Sequence, residues 1–171
     1  MNIDPAQIIS IGSSDTGPVL AALLDLNNLH QKELSLLDKA GLQHLLEQAC
    51  FSGRIGLVDA FLICLDQNAD HDGVNFHWFK ARYDRFVYVD RIVVSSAARG
   101  RGLARILYER LIAQARLDGH DRIVCEVNCS PPNPESDAFH ASFGFLPVGE
   151  AAIHGGAKTV RYLSLALEPA S

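Results

Sequence analysis

Two β-branched, apolar runs bracket an amphipathic helix in the second half of the chain, and this order restricts the fold more than any other feature. FVYVDRIVV (86–94) is too apolar and too short for a surface helix, and RIVCEVNC (122–129) has the same character. Between them, Leu103, Ile106, Leu107, Leu111 and Ala115 share one helical face, which Gly119 closes. Strand, helix and strand in that order call for parallel pairing in an α/β sheet. A short helix at SDAFHASF follows, then strands around 145–153 and 158–167, with Gly155-Gly156 as the turn of an antiparallel hairpin.

The first half is less marked. A short strand is expected around Ile8–Ile11, followed by a helix with Val19, Leu20, Leu23, Leu24 and Leu29 on one face. Asp38 suits the N-cap of a second helix that turns Leu42, Leu45, Leu46 and Ala49 inward, with Gly53 just past its end. Residues 54–65 supply strand material for a hairpin, and 66–85 read as a polar loop running into the aromatic-rich NFHWFKARY. With 171 residues, no internal repeat and no linker, the chain is expected to form one domain over residues 1–171.

Composition excludes several function classes. A formal charge of −5 argues against a broad nucleic-acid surface, although Arg99, Arg101, Arg105, Arg110 and Arg116 concentrate in one segment and could form a local anion site. No apolar run reaches the roughly 20 residues that span a membrane. The first ten residues carry no basic leader pattern, so the cytoplasm is the expected compartment. Cys50, Cys64, Cys125 and Cys129 form no C-x-x-C pair and are expected to be reduced thiols. Asn68, Asp70 and Asp72 before Gly73 imitate the opening of a calcium loop, but its twelfth position would fall on Phe79, and no metal is expected.

Chemistry concentrates at Arg99-Gly100-Arg101-Gly102-Leu103-Ala104, between the first strand and the helix. Glycines let backbone approach a ligand closely. The first helix amides lack intrahelical partners and carry the positive end of the dipole. Arginines add forked donors, and the whole suits a pyrophosphate. A dinucleotide fingerprint fails here because Arg105 occupies its third glycine position, and no G-x-x-x-x-G-K-[ST] string exists.

This turn resembles the R/Q-x-x-G-x-G/A signature of the GNAT superfamily of N-acetyltransferases, matched by Arg99, Gly102 and Ala104. A second family segment is met by Asn133, Ser136, His140, Gly144 and Phe145, and the likeness covers residues 86–167. It implies a mixed, mostly antiparallel sheet with a splayed parallel strand pair, flanked by helices. It implies acetyl-coenzyme A as co-substrate, with pyrophosphate on Arg99–Ala104 (Gly100, Arg101 and Leu103 included) and the pantetheine arm along Ile92, Val93 and Val94. Asn133 and Ser136 would complete that site. The activity implied is acetyl transfer to a primary amine of a small molecule or peptide, by direct attack in a ternary complex. A non-catalytic coenzyme A sensor on the same fold is the alternative, favoured by one departure: His140 stands where the family often has a tyrosine acid.

Histidine could protonate a leaving thiolate, since its ordinary pKa of about 6.5 keeps an acid form available; alternatively His140 packs on its helix. For the base, alternation places Phe86, Tyr88, Asp90, Ile92 and Val94 on one strand face, and Glu126 with Asn128 on one face of the next. Asp90 or Glu126 could take the proton of an ammonium substrate, and Asn128 could orient it. Trp78 and Tyr83 could wall the acceptor pocket, and Asn28 and His30 could contact the acceptor after the first helix. The final hairpin offers an edge that could pair two subunits.

Overall fold

The computed structural model describes residues 7–12, 15, 17–30, 34 and 36–169. Seven strands form one sheet: β1 (Ile8–Ser10), β2 (Phe51–Ile55), β3 (Ala60–Asp66), β4 (Val87–Val94), β5 (Arg122–Ser130), β6 (Leu146–Ile153) and β7 (Lys158–Ala166). Five helices flank it: α1 (Pro18–Leu29), α2 (Lys39–Gln48), α3 (Val74–Lys80), α4 (Leu103–Leu117) and α5 (Pro134–Phe143). The sheet order is β1-β2-β3-β4-β5-β7-β6, antiparallel except where β4 meets β5. No helix among the described residues is long and apolar enough to cross a membrane.

Local chemistry accounts for most boundaries. Asp38 caps α2 by accepting from the Gly41 amide at 2.7 Å. Asn133 caps α5 in the same way, accepting from Ser136, with Pro134 in the first turn. The turn before β7 carries His154, Gly155 and Gly156 at positive φ. The stretch expected as loop and aromatic run contains α3, whose seven residues are too few for periodicity to reveal.

The sheet buries both faces. On one, Leu20, Leu23, Leu42 and Leu45 of α1 and α2, with Phe76 and Phe79 of α3, cover Phe61, Ile63, Leu65, Tyr88 and Tyr162. On the other, Leu103, Leu107, Tyr108 and Leu111 of α4 cover Leu62, Cys64, Val87, Val89, Ile123 and Cys125. β3 is buried almost end to end, as a central strand covered on both sides must be.

Two irregularities create the site. First, β4 and β5 pair only at Val87–Ile123 and Tyr88–Val124, and beyond these residues they splay. Backbone groups along the inner edge of β4 are thereby left to face a ligand. Second, the β3–β4 register skips Asp90: Cys64 faces Val89 and Ile63 faces Arg91. An extra residue inverts side-chain parity along the rest of the strand. The expected single face of Phe86, Tyr88, Asp90, Ile92 and Val94 is therefore corrected. Ile92 and Val94 pack with Val87 and Val89 toward α4, while Phe86, Tyr88 and Val93 lie on the other side.

The bulge also turns Arg91 into the buried layer, where its guanidinium donates to Asn27 Oδ1 at 2.6 Å. Removing the acceptor takes a hydrogen bond away from a buried cation. Asn27→Leu is expected to destabilise the fold by about 2–3 kcal/mol, and urea unfolding checks this.

Candidate active site

The splay opens two cavities that meet at one junction. One, of about 740 Å³, runs from Ile92, Val93 and Val94 across Arg99, Gly100 and Gly102 to Leu103, Ala104 and Arg105, with His30 on its rim. The other, of about 390 Å³, lies between β4 and β5 and is lined by Tyr88, Asp90, Arg91, Glu126 and Asn128, with His71, Asn75, His154 and Lys158. Leu34, Ile92, Asn133, Ser136 and His140 border both.

The larger cavity has the chemistry of an anion cradle. Gly100 and Gly102 sit at φ +80° and +73°, and a Cβ on either would meet nothing within 4 Å. Backbone there is open to a ligand and adopts a conformation that side chains resist. The first-turn amides of α4 point outward from Gly102, at the positive end of a fifteen-residue helix. Arg101 is an exception among the expected residues. It is absent from the cavity wall and reaches Asp59 at 3.6 Å instead. Arg105 takes a place on that wall, its guanidinium over Phe143 at 4.4 Å and bonded to Ser142. Its position in the turn was visible in the sequence, but only the helix geometry aims it.

In the smaller cavity the two candidate carboxylates have different surroundings. Asp90 is engaged on both oxygens, by Arg91 Nε at 2.7 Å and by His71 Nε2 at 3.3 Å. Glu126 accepts from the Tyr88 hydroxyl at 2.9 Å through Oε1, while its buried Oε2 has no aligned donor. Burial pushes the Glu126 carboxyl up to about 7 and the nearby Asp90 charge adds to this, while the Tyr88 hydrogen bond and the neighbouring Asn75 amide oppose it. Asn75 thus lies near the carboxylate without making a hydrogen bond to Oε2. Tyr88 is itself held far above the ordinary tyrosine value, by burial first and by Glu126 second.

His140 is buried at the junction. Its Nδ1 lies 2.7 Å from the Ser136 carbonyl oxygen and its Nε2 lies 2.8 Å from the Tyr108 hydroxyl. A carbonyl only accepts, so the ring proton resides on Nδ1 and Tyr108 donates to Nε2. Burial lowers the imidazole pKa below its ordinary value, against the opposing effects of the Ser136 carbonyl and Asp137. The ring is therefore neutral near pH 7.

The acceptor contacts expected from sequence are corrected in part. Trp78 and Tyr83 border neither cavity. Trp78 stacks on Tyr162 at 4.1 Å beneath Arg82 and lies against Gly149, while Tyr83 packs under Arg122. Both belong to the aromatic packing around α3, where flat rings fill the sheet surface. Asn28 joins α1 to the segment before α2, exchanging two hydrogen bonds with Leu37. His30 borders the larger cavity rather than the smaller one. His71, Asn75, Tyr88 and Tyr108 escaped sequence reasoning, because no local pattern distinguishes them from loop or core residues. No group of three or more His, Cys, Asp or Glu placed to hold a metal ion occurs among the described residues.

Comparison with known proteins bears on the fold and the family. The chain is 38% identical over 68 residues to glucosamine 6-phosphate N-acetyltransferase 1 of Oryza sativa subsp. japonica; the matched stretch is 40% of this chain and 38% of that relative, well under two thirds of its length. Solved structures with the same fold include a putative acetyltransferase from Salmonella typhimurium with its cofactor acetyl-CoA. It has a TM-score of 0.69 and 20% identity, over 96% of this chain and 95% of that one. Another is an acetyltransferase of the GNAT family from Streptococcus pneumoniae, at TM-score 0.71 and 16% identity over 94% and 98%. One chain of the NatC complex bound to Gag peptide and CoA superposes at TM-score 0.70 and 15% identity, over 95% of this chain and 99% of that one. The model of the acetyltransferase (GNAT) family matches residues 42–145, more than half of the sequence, and the chain belongs to that family.

Proposed function

We propose that the protein transfers the acetyl group of acetyl-coenzyme A to a primary amine, on a small molecule or a peptide, by direct attack in a ternary complex. The carrying observation is the buried Glu126 Oε2, an unfilled acceptor on the wall where the two cavities converge. A carboxylate of pKa about 7 suits an ammonium ion: it attracts the charge and then takes the proton. Asp90 is the less suitable base because Arg91 and His71 already hold both of its oxygens. Its part is to fix those two side chains along the cavity wall.

The remaining roles follow from position. The pyrophosphate of coenzyme A lies on the Gly100–Gly102 turn with Arg99 and Arg105 beside it. The pantetheine arm follows the unpaired inner edge of β4 at Ile92–Val94, bringing the thioester to the junction by Asn133, Ser136 and His140. A β4 amide near Val94 then meets the oxyanion that forms on attack. Asn128 orients the amine from the β5 side. Sugar amines and peptide amines both remain candidate acceptors, in line with what the names of the rice relative and the NatC complex state of those proteins. β6 forms one edge of the sheet, so pairing of two copies along it is testable by light scattering.

Calorimetric titration with acetyl-coenzyme A is expected to show saturable binding, and a panel of primary amines to include one that releases free thiol. No binding, or binding of NAD in its place, overturns the proposal.

A further inference from the structure

The cavity between β4 and β5 carries a charge that acetyl transfer to a simple amine does not use. Arg91 and Asp90 on its wall pair with each other at 2.7 Å, and His71 lies 3.3 Å from the second Asp90 oxygen. Two opposite charges remain on the wall, Glu126 on β5 and Lys158 at the start of β7. Lys158 is half-buried, and among the described residues its ammonium has neither an ion pair nor a hydrogen bond. Arg161, on the same strand, is by contrast held by both Asp137 and Glu150. A partly desolvated cation with no carboxylate partner, set in a cavity wall, favours an anion from the ligand. His154 directly follows Ile153, the cross-strand partner of Lys158, and brings an imidazole to the same end of the cavity.

The β5–β7 register sets how far apart the two charges stand. Glu126 pairs with Tyr162 and Asn128 with Val160, and alternation along β7 puts Lys158 on the same face. Lys158 lies four residues from Tyr162, about 13 Å along the strand at roughly 3.3 Å per residue. The two side chains span part of that distance, and a ligand touching both must span the rest. An anion on the carbon next to the amine is too close to do so. The cavity volume of about 390 Å³ suits a small molecule. Resting on the acetyl-transfer reading above, we propose that the acceptor is a small primary amine bearing a phosphate or carboxylate several bonds from its nitrogen, selected by Lys158. The ammonium end meets Glu126 and the anion meets Lys158, with His154 beside it. Two anchors at opposite ends hold the nitrogen in one orientation toward the thioester. On transfer the nitrogen bonds the acetyl carbon and the C–S bond breaks with its electron pair on sulfur. Each turnover yields one amide, one free thiol and one proton, and the product keeps its anion but loses its cation.

Matched probes with a terminal amine test this at pH 8, where Glu126 is ionised. Aminobutyl phosphate is compared with aminobutanol, aminohexanoate with aminohexanamide, and free glycine with its amide. Binding is measured by calorimetry on the protein saturated with coenzyme A, and turnover by thiol release from acetyl-coenzyme A. At least one of the two long anionic probes should bind about tenfold tighter than its uncharged partner, the scale of one charge-assisted hydrogen bond, and should show the same preference in kcat/KM. The stronger of the two names the anion, and glycine should gain nothing over its amide. Lys158→Met should abolish the preference and Lys158→Arg should retain most of it, which separates charge recognition from a folding defect. Thiol release without a preference for the anion, or a preference that survives in Lys158→Met, overturns the subsite and leaves acetyl transfer intact. Failure of both anionic probes to bind also overturns the subsite alone. Lys158-dependent binding with no thiol release from any probe overturns acetyl transfer, and the acceptor assignment with it.

Discussion

Glu126→Gln is expected to reduce kcat by about 10²–10⁴-fold, the usual contribution of a positioned general base, while acetyl-coenzyme A binds as before. Glutamine keeps the shape and can still accept from Tyr88, so the loss isolates the proton-accepting function. The wild-type kcat/KM should rise as pH passes through about 7 and level off above it, because the ionised carboxylate is the active form. The variant should lack that limb. A variant that retains both turnover and the limb would remove Glu126 from the mechanism.

The same substitution should strengthen the fold, with a sign fixed by linkage. The Glu126 carboxyl has an ordinary value of 4.5 and is raised to about 7 in the folded protein. Its contribution to stability is full below 4.5, falls as pH rises toward 7 and stays low above it, because the native state must then hold the charge. Removing the ionisable group should gain on the order of 1–3 kcal/mol at pH 8 and nothing at pH 4.5. Urea unfolding of both proteins at the two pH values measures it. Activity and stability would then oppose each other at one carboxyl.

Gly102→Glu is expected to weaken acetyl-coenzyme A binding by roughly 10²–10³-fold, since two like charges some 4 Å apart repel by about 4 kcal/mol at an effective dielectric constant of 20. The added side chain meets no protein atom near its Cβ, so it projects into the cavity rather than disrupting the helix. Its positive φ adds a strain cost of about 1–2 kcal/mol, and Gly102→Ala serves as the control for that term. Calorimetry should find the alanine variant far closer to wild type than the glutamate variant. Equal losses in both would show that backbone conformation, rather than anion recognition, governs the turn.

Much of the frame was legible because it is built from local rules. The β-branched run over β4, the heptad-like apolar face of α4 and the glycines between them each describe their own element, and Gly102 does lie at the helix start in a left-handed conformation. Asp38 and Asn133 cap their helices through hydrogen bonds spanning three residues, a range that sequence spacing reports directly. α3 escaped because a seven-residue helix of aromatic residues has no periodicity to distinguish it from strand or loop.

The site divides along the same line. From sequence, Asp90 and Glu126 are equivalent carboxylates on strand faces, and Arg101 is as good an anion ligand as Arg105. Their separation depends on partners far away in the chain. Arg91 turns inward only because the register skips Asp90, Tyr88 reaches Glu126 across 38 positions, and Tyr108 reaches His140 across 32. Local propensity determined which segments would be strand, turn and helix, and where an anion could be bound. Tertiary structure decided which carboxylate is left with an open oxygen and which nitrogen of His140 keeps its proton. Burial and hydrogen-bond partners set those energies, and both are properties of residues brought together by folding rather than of residues adjacent in sequence.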